Sequence, residues 1–412
     1  MQSFQGREGA RLVGKLAERG GSFTEYEADV RRIVDDVRRR GDRALRKYAK
    51  KWDALGSKTL RVSAAELRHA GKQVSTGLLK AARQAAENIR DFAERQKPVE
   101  WIRTRNGVSV GQLVRPLDSV GCYVPGGRYP LFSTLMMTCI PAQVAGVERI
   151  CVASPHPQPE LLAIAYELGV TEFWRVGGAH AIAALAYGTE SIRRVHKIVG
   201  PGNSYVTAAK KLVAFDCAID MLAGPTEVVV VCHDGRPTWI ASDLVAQAEH
   251  DPEAVAVFIT TSRKLAHEVM EAARRLSEGN AVARQSLKRN GCVLVASSRT
   301  QAMDWANAIA PEHITVDEDD VPLVRNAGSV FVGDYSPQAA GDYVTGPNHV
   351  LPTAGAARFR GGLTVLDFVK LVTMQQVSRN GLRRSAPAIE ALAEAEGLHA
   401  HADSVRVRCQ DA

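Results

Sequence analysis

Three short polar clusters stand in otherwise apolar surroundings and carry side chains able to do chemistry: Gln247-Ala-Glu-His250, Glu312-His313 and Gly341-Asp-Tyr-Val-Thr-Gly-Pro-Asn-His349. In the first, helical spacing puts Gln247 and His250 on one face, where a carbonyl oxygen and an imidazole could share one cation. A polar capping turn would look the same. Asp342 and a histidine from the tail would complete two nitrogens and two oxygens, a set that suits zinc and also accepts manganese. Glu312-His313 follows Ala310-Pro311 and precedes Ile314-Thr-Val316, so both side chains should stand at a loop-to-strand edge, where catalytic groups are often held. Histidine, with an ordinary pKa of about 6.5, takes a proton at neutral pH, and a neighbouring carboxylate either orients it or activates a water.

Such clusters need a scaffold. Residues 24–97 read as helices, and 101–114 alternate apolar and polar side chains around Asn106-Gly107, the signal of a tight hairpin. From Ser119 short apolar strands (VGCYV, RICVAS, EFWRVG, HKIVG) alternate with helical stretches, and the alternation restarts at Glu227 (EVVVVC, AVAVFIT, GCVLVAS, GSVFVG). This is the pattern of an α/β chain with two Rossmann-like doubly wound domains in series. The expected division is a helical lead-in and hairpin over 1–118, α/β domains over 119–223 and 224–362, and a helical tail over 363–412. A GxGxxG fingerprint is missing. In its place Tyr123-Val-Pro-Gly-Gly127 and Gly200-Pro-Gly-Asn203 each follow a strand and precede a helix, where backbone amides can approach phosphate.

Composition narrows the classes. With 45% hydrophobic and 24% charged residues the chain should fold, and 412 residues call for more than one core. No apolar run approaches the roughly 20 residues needed to cross a bilayer. The start MQSFQGREGARLVGK lacks a signal-like apolar core, which predicts a cytoplasmic protein. Seven widely spaced cysteines without a CxxC pair suggest reduced thiols. The net charge of +7 is modest; the segment 31–51, with ten Lys or Arg against three Asp, also carries helically spaced apolar residues. It therefore reads as a solvated helix face rather than a nucleic-acid contact.

Taken together, the clusters resemble the histidinol dehydrogenase family over nearly the whole chain. The matching strings, in the family's order, are YVPGGRYPL, GGAHAIAALAYGTE, IVGPGNSYV, IDMLAGPTE, DLVAQAEHDP, APEHITV, AGDYVTGPNHVLPT, GGLTVLDFVK and AEAEGLHAHADSVRVR. The resemblance implies a zinc-dependent, NAD-linked oxidation of L-histidinol through L-histidinaldehyde to L-histidine, the last steps of histidine biosynthesis. It also implies that Gln247, His250, Asp342 and His401 hold one zinc per subunit, His401 coming from the partner of a homodimer. Glu312 and His313 match the proton acceptors, Glu312 for water and His313 for the alcohol. Thr226, His349 and Glu396 match substrate-binding positions, while Tyr123, His180 and Asn203 match NAD-binding ones, so the domain 119–223 would hold NAD. The sequence departs from the family's usual pattern at His180, where glutamine is usual, and at Thr226, where serine is usual. Tyr129 is similar to relatives that oxidise other polar alcohols, including sulfonated diols, so a same-fold dehydrogenase of another small polar alcohol is the alternative, and a basic nucleic-acid-binding protein a remote one.

Overall fold

The computed structural model describes residues 1–20, 24–56, 59–126 and 131–410. The chain opens on a strand, β1 (Gln2–Gln5), followed by helices Gly6–Ala17, Thr24–Trp52, Ala64–Ala70 and Thr76–Arg95. The long helix is broken at Gly41, where φ is +48° and a Cβ would come within 2.2 Å of the Glu190 carboxylate. Only glycine adopts that backbone without strain. The basic segment lies on this helix as expected, with Val30, Ile33, Val34, Val37 and Leu45 buried in a core and its Lys and Arg residues facing solvent.

The hairpin also forms as expected. Strands β2 (Trp101–Arg105) and β3 (Val108–Pro116) pair antiparallel, with Asn106 and Gly107 at φ of 53° and 75°.

Next come the two parallel sheets. The first contains β4 (Ser119–Tyr123), β5 (Arg149–Ala153), β6 (Glu172–Trp174), β7 (Lys197–Val199) and β8 (Ala218–Ile219), in the order β6-β5-β4-β7-β8. The second contains β9 (Glu227–Val231), β10 (Val255–Thr260), β11 (Gly291–Val295), β12 (His313–Val316) and β13 (Ser329–Val332), in the order β11-β10-β9-β12-β13. Both sheets thus run outward from a central strand and then outward again on its other side, which is the doubly wound topology. The central strands β4 and β9 are buried along their whole length, because helices cover both faces of such sheets.

Two strands depart from the sequence reading. β1 adds to the second sheet beyond β11, from Gln2↔Cys292 to Gln5↔Val295. Its sequence QSFQ offers a single large apolar side chain, so the local pattern is silent. The segment 363–412 is not helical throughout: β14 (Val369–Val377) pairs antiparallel with β3 from Val369↔Pro116 to Val377↔Val108, ahead of helices Arg379–Ala395 and His399–Gln410. A strand whose partner lies in the first third of the chain leaves no short-range signal. All seven cysteines are free and six are buried. Among the described residues no helix is long and apolar enough to cross a membrane.

Candidate active site

The helix Arg299–Ile309 ends at Ala310, whose φ is +52°, and Pro311 bars its continuation. The chain therefore turns sharply and delivers Glu312 and His313 to the amino end of β12, beside Thr226 and Glu227 at the amino end of β9. Glu312 Oε2 accepts from Thr226 Oγ1 at 2.5 Å and from the Glu227 N–H at 2.9 Å. Gln247 Nε2 donates to Thr226 Oγ1 in turn, which leaves the Gln247 amide oxygen available. His313 Nδ1 lies 3.0 Å from the Glu227 carbonyl and so carries a proton that it donates there. His313 Nε2, buried and without a hydrogen bond, lies 3.7 Å from Asp342 Oδ1.

Burial pushes the Glu312 carboxyl up to about 7, against the pull of His313, Thr226 and the Glu227 N–H. Burial would push His313 down, but the carboxylates of Glu312 and Asp342 outweigh it and raise the imidazole. Burial would likewise raise Asp342; His313, His349 and His250 around it hold it below the ordinary carboxylate range. An ionised carboxylate ringed by imidazoles is suited to a divalent cation.

Gln247 occupies the last turn of helix Pro237–Ala248, and His250 lies just past its end rather than within it. Pro252 disfavours helical backbone at residue 251. The spacing survives as a turn, since the His250 N–H donates to the Gln247 carbonyl at 3.3 Å. Asp342 belongs to a short helix, Gln338–Tyr343, rather than a loop, and His349 Nδ1 donates to its backbone carbonyl at 2.8 Å. Thr226, Gln247, His250, Glu312, His313, Asp342 and His349 all line one cavity of about 190 Å³. Among the described residues no group of three or more His, Cys, Asp or Glu is placed to hold a metal. Of the four expected zinc ligands this cavity holds three, Gln247, His250 and Asp342, so the zinc assignment needs a fourth donor from elsewhere.

The single chain does not bring Glu396 and His401 to that cavity. Glu396 caps helix Arg379–Ala395, His401 lies on helix His399–Gln410, and both are exposed. Tyr129 lies outside the described residues, as do Gly127, Arg128 and Pro130.

The three expected cofactor residues meet in a second cavity, of about 420 Å³, at the carboxyl ends of β4, β6 and β7. Tyr123 ends β4, and its hydroxyl accepts the Gly178 N–H at 3.1 Å. Asn203 caps helix Ser204–Val213 through Oδ1, which takes the Val206 N–H at 3.2 Å and leaves its amide nitrogen free to donate. Gly200, at φ +113°, brings these halves together: a Cβ there would lie 2.1 Å from the Tyr123 carbonyl oxygen. A buried ion pair braces the turn, with Lys210 Nζ donating to the Gly200 carbonyl at 2.9 Å and to Asp220, whose other oxygen takes the Gly200 N–H at 2.7 Å.

His180 is buried, its Nε2 2.7 Å from Asp53 Oδ2, which also accepts the Gly177 N–H at 2.9 Å. His180 Nδ1 has no partner. Asp53, Trp52 and Tyr205 line this cavity too, and sequence reasoning missed all three. Trp52 stacks on Tyr48 at 5.0 Å and is 45% exposed; an exposed tryptophan closing an amphipathic helix was the available signal. For Asp53 there was none.

Comparison with known proteins identifies the family. The family model described as histidinol dehydrogenase matches residues 17–409. The histidinol dehydrogenase of Methanothermobacter thermautotrophicus is 45% identical over 97% of this chain and 98% of its own. That of Geobacillus kaustophilus is 46% identical over 92% of each. The crystal structure of histidinol dehydrogenase from Elizabethkingia anophelis superposes with a TM-score of 0.95 at 35% identity, covering 100% of this chain and 98% of that one. The chain belongs to the histidinol dehydrogenase family and is an oxidoreductase.

Proposed function

We propose that the protein oxidises L-histidinol through L-histidinaldehyde to L-histidine, with NAD as the hydride acceptor and zinc as the holder of the substrate. The observation that carries this reading is the pair of distinct bases on one cavity wall. Oxidising an alcohol requires a base for the hydroxyl proton. The aldehyde must then add water before a second hydride can leave, which requires a base for the water. His313, with Nδ1 committed to the Glu227 carbonyl, offers Nε2 to the alcohol when the ring is neutral, and the carboxylates that raise the imidazole make that nitrogen the stronger base. Glu312, raised to about 7, is matched to deprotonating water at neutral pH. Thr226 holds Glu312 in place, and His349 lines the same cavity.

Each oxidation releases one hydride and one proton; bound NAD would supply the hydride acceptor, while His313 and Glu312 take the protons. Tyr123, Asn203 and His180 would bind the cofactor in the first-sheet cavity, next to Trp52. Gln247, His250 and Asp342 would hold zinc, with Glu396 and His401 of the partner subunit completing the substrate and metal shells. Zinc held there would supply a fixed point for the substrate and so orient its carbinol for hydride loss.

A homodimer is supported by exposed apolar side chains on both faces of the sheet formed by β2, β3 and β14 and on the tail: Trp101, Ile102, Leu371, Val372, Leu392 and Leu398. Apolar surface of that extent usually meets a partner. The free cysteines support a cytoplasmic setting.

The test is NADH formation with L-histidinol against a panel of primary alcohols that includes sulfonated diols. Two NADH per histidinol, with L-histidine as product, is the expected result. Turnover of a diol in preference to histidinol would replace the substrate assignment.

A further inference from the structure

We infer that Arg19 is a positioning residue for both bases, acting through Glu227. The inference rests on the assignment of Glu312 and His313 as those bases. The backbone of Glu227 touches each of them, its N–H donating to Glu312 Oε2 at 2.9 Å and its carbonyl accepting from His313 Nδ1 at 3.0 Å. The second contact decides which imidazole nitrogen is left free for substrate. Wherever residue 227 sits, both bases follow.

The Glu227 carboxylate, 3% exposed, is in turn gripped by Arg19. Arg19 Nε donates to Oε1 at 2.7 Å and Nη2 to Oε2 at 2.5 Å, a two-point fork, while the Ala354 N–H adds a third bond at 2.9 Å. The guanidinium is itself fixed, because Nη1 donates to the Leu16 carbonyl and, at 2.9 Å, to the carbonyl of Ile309. Ile309 is the last residue of the helix that ends just before Glu312. One planar cation therefore ties the start of β9 to the turn that delivers Glu312. Lysine could supply the charge but not the fork.

Arg19 lies just after the first helix, in the part of the chain that begins with β1 on the far edge of the second sheet. The N-terminal segment thus reaches the catalytic centre without touching substrate. Without Arg19 the Glu227 carboxylate would be a buried charge lacking its counter-ion, beside a second buried carboxylate. Residue 227 would shift to relieve it. Displacements of about 1 Å at a catalytic group can cost on the order of 100-fold in rate.

The test compares R19A, R19K and wild type as full-length, zinc-loaded enzyme, with kcat and KM measured separately for the alcohol and aldehyde steps. R19A should lose about 10- to 100-fold in kcat in both steps, with KM for each substrate within a factor of about three. Added guanidinium, well below denaturing concentration, should restore part of the R19A loss. R19K should be intermediate, and it decides the matter should R19A fail to fold. Recorded at a pH where the imidazole is neutral, the ¹⁵N signals of His313 should report the Nδ1–H tautomer in wild type and a mixture in R19A. Wild-type kcat in R19K and R19A overturns the inference; so does a loss that tracks the folded fraction alone and is not rescued. E312Q is run alongside: full activity there would defeat the assignment of the bases, whatever Arg19 does.

Discussion

In the first parallel sheet the groups that face a cavity follow the strands, whereas in the second the two bases and Thr226 stand at the amino ends of theirs. Tyr123 ends β4, Gly177 to His180 follow β6, and Gly200 to Asn203 follow β7. Thr226 and Glu227 instead open β9, and Glu312 and His313 open β12. Apart from β1 at the edge of the second, strand order is the same in both sheets, so the difference lies in which ends of the helices each edge receives. Carboxyl ends of parallel strands feed helix N-termini, whose free N–H groups and positive dipole ends suit a phosphate-bearing cofactor. Amino ends receive helix C-termini, here those of Pro237–Ala248 and Arg299–Ile309, whose negative dipole ends favour a cation or a protonated imidazole. The two edges face each other, since Pro201 and Asp220, just beyond β7 and β8, also line the cavity that holds Glu312 and His313. A hydride acceptor held at one edge and a hydride donor held at the other would therefore meet.

The contrast breaks first at the metal. Dialysis against a chelator should abolish turnover, and zinc should restore it, while tryptophan fluorescence still responds to NAD through Trp52. The fold should persist, because its cores are apolar and do not depend on an ion. Turnover that survives verified metal removal would defeat the ligand set Gln247, His250, Asp342 and His401.

Next in size is the Glu312→Gln change, which keeps the shape and removes the base. Oxidation of supplied histidinaldehyde should fall by the 10²- to 10⁴-fold typical of lost general-base catalysis. The alcohol step should suffer less, and NAD affinity should not change. Equal losses in both steps under single-turnover conditions would erase the proposed division between Glu312 and His313.

A third effect is a partial recovery. Glu312→Gln and His401→Ala should each be inactive alone. After subunit exchange, half of the dimers are mixed, and each mixed dimer holds one site free of both lesions if His401 serves its partner. About a quarter of wild-type activity should therefore return in a two-fold assembly. Mixtures that stay inactive once exchange is verified by mass spectrometry would return His401 to its own subunit.

What the sequence displays and hides follows from how far apart the partners lie. Glu312-His313 and the alternating apolar strands are contiguous, so their edge position and the doubly wound pattern are legible. Gln247 and His250 are near enough for their spacing to predict a shared cavity, although the helix itself stops short of His250. Glu227 is hidden for another reason, since its hold on the bases runs through its backbone, which any residue possesses. β1 and β14 pair with strands far away in the chain, and no local periodicity reports that. The fork from Arg19 joins residues 208 apart, and the contact between Asp53 and His180 spans 127.

That last contact supports the smallest prediction and the one that tests the cofactor edge alone. Asp53 Oδ2 accepts from both the Gly177 N–H and His180 Nε2, so the imidazole, which lines the cavity, is held with its other nitrogen, Nδ1, as a buried acceptor without a partner. A hydrogen-bond donor of the cofactor, such as an amide or a ribose hydroxyl, would satisfy it. Asp53→Asn keeps the size but weakens the contact that fixes the tautomer, and His180→Gln keeps a donor and an acceptor while losing the ring that packs near Trp52 and Tyr48. Each change removes about one neutral hydrogen bond's net worth, about 1 kcal/mol, which is about fivefold in NAD dissociation constant. Quenching of tryptophan fluorescence, with Trp52→Phe as the control for its source, reads that constant without any turnover. The kcat at saturating NAD should stay near wild type, because no residue of the substrate cavity has moved. A fall in kcat with NAD affinity intact would show that the dyad acts on the chemistry, and the separation of roles between the two sheet edges would have to be withdrawn.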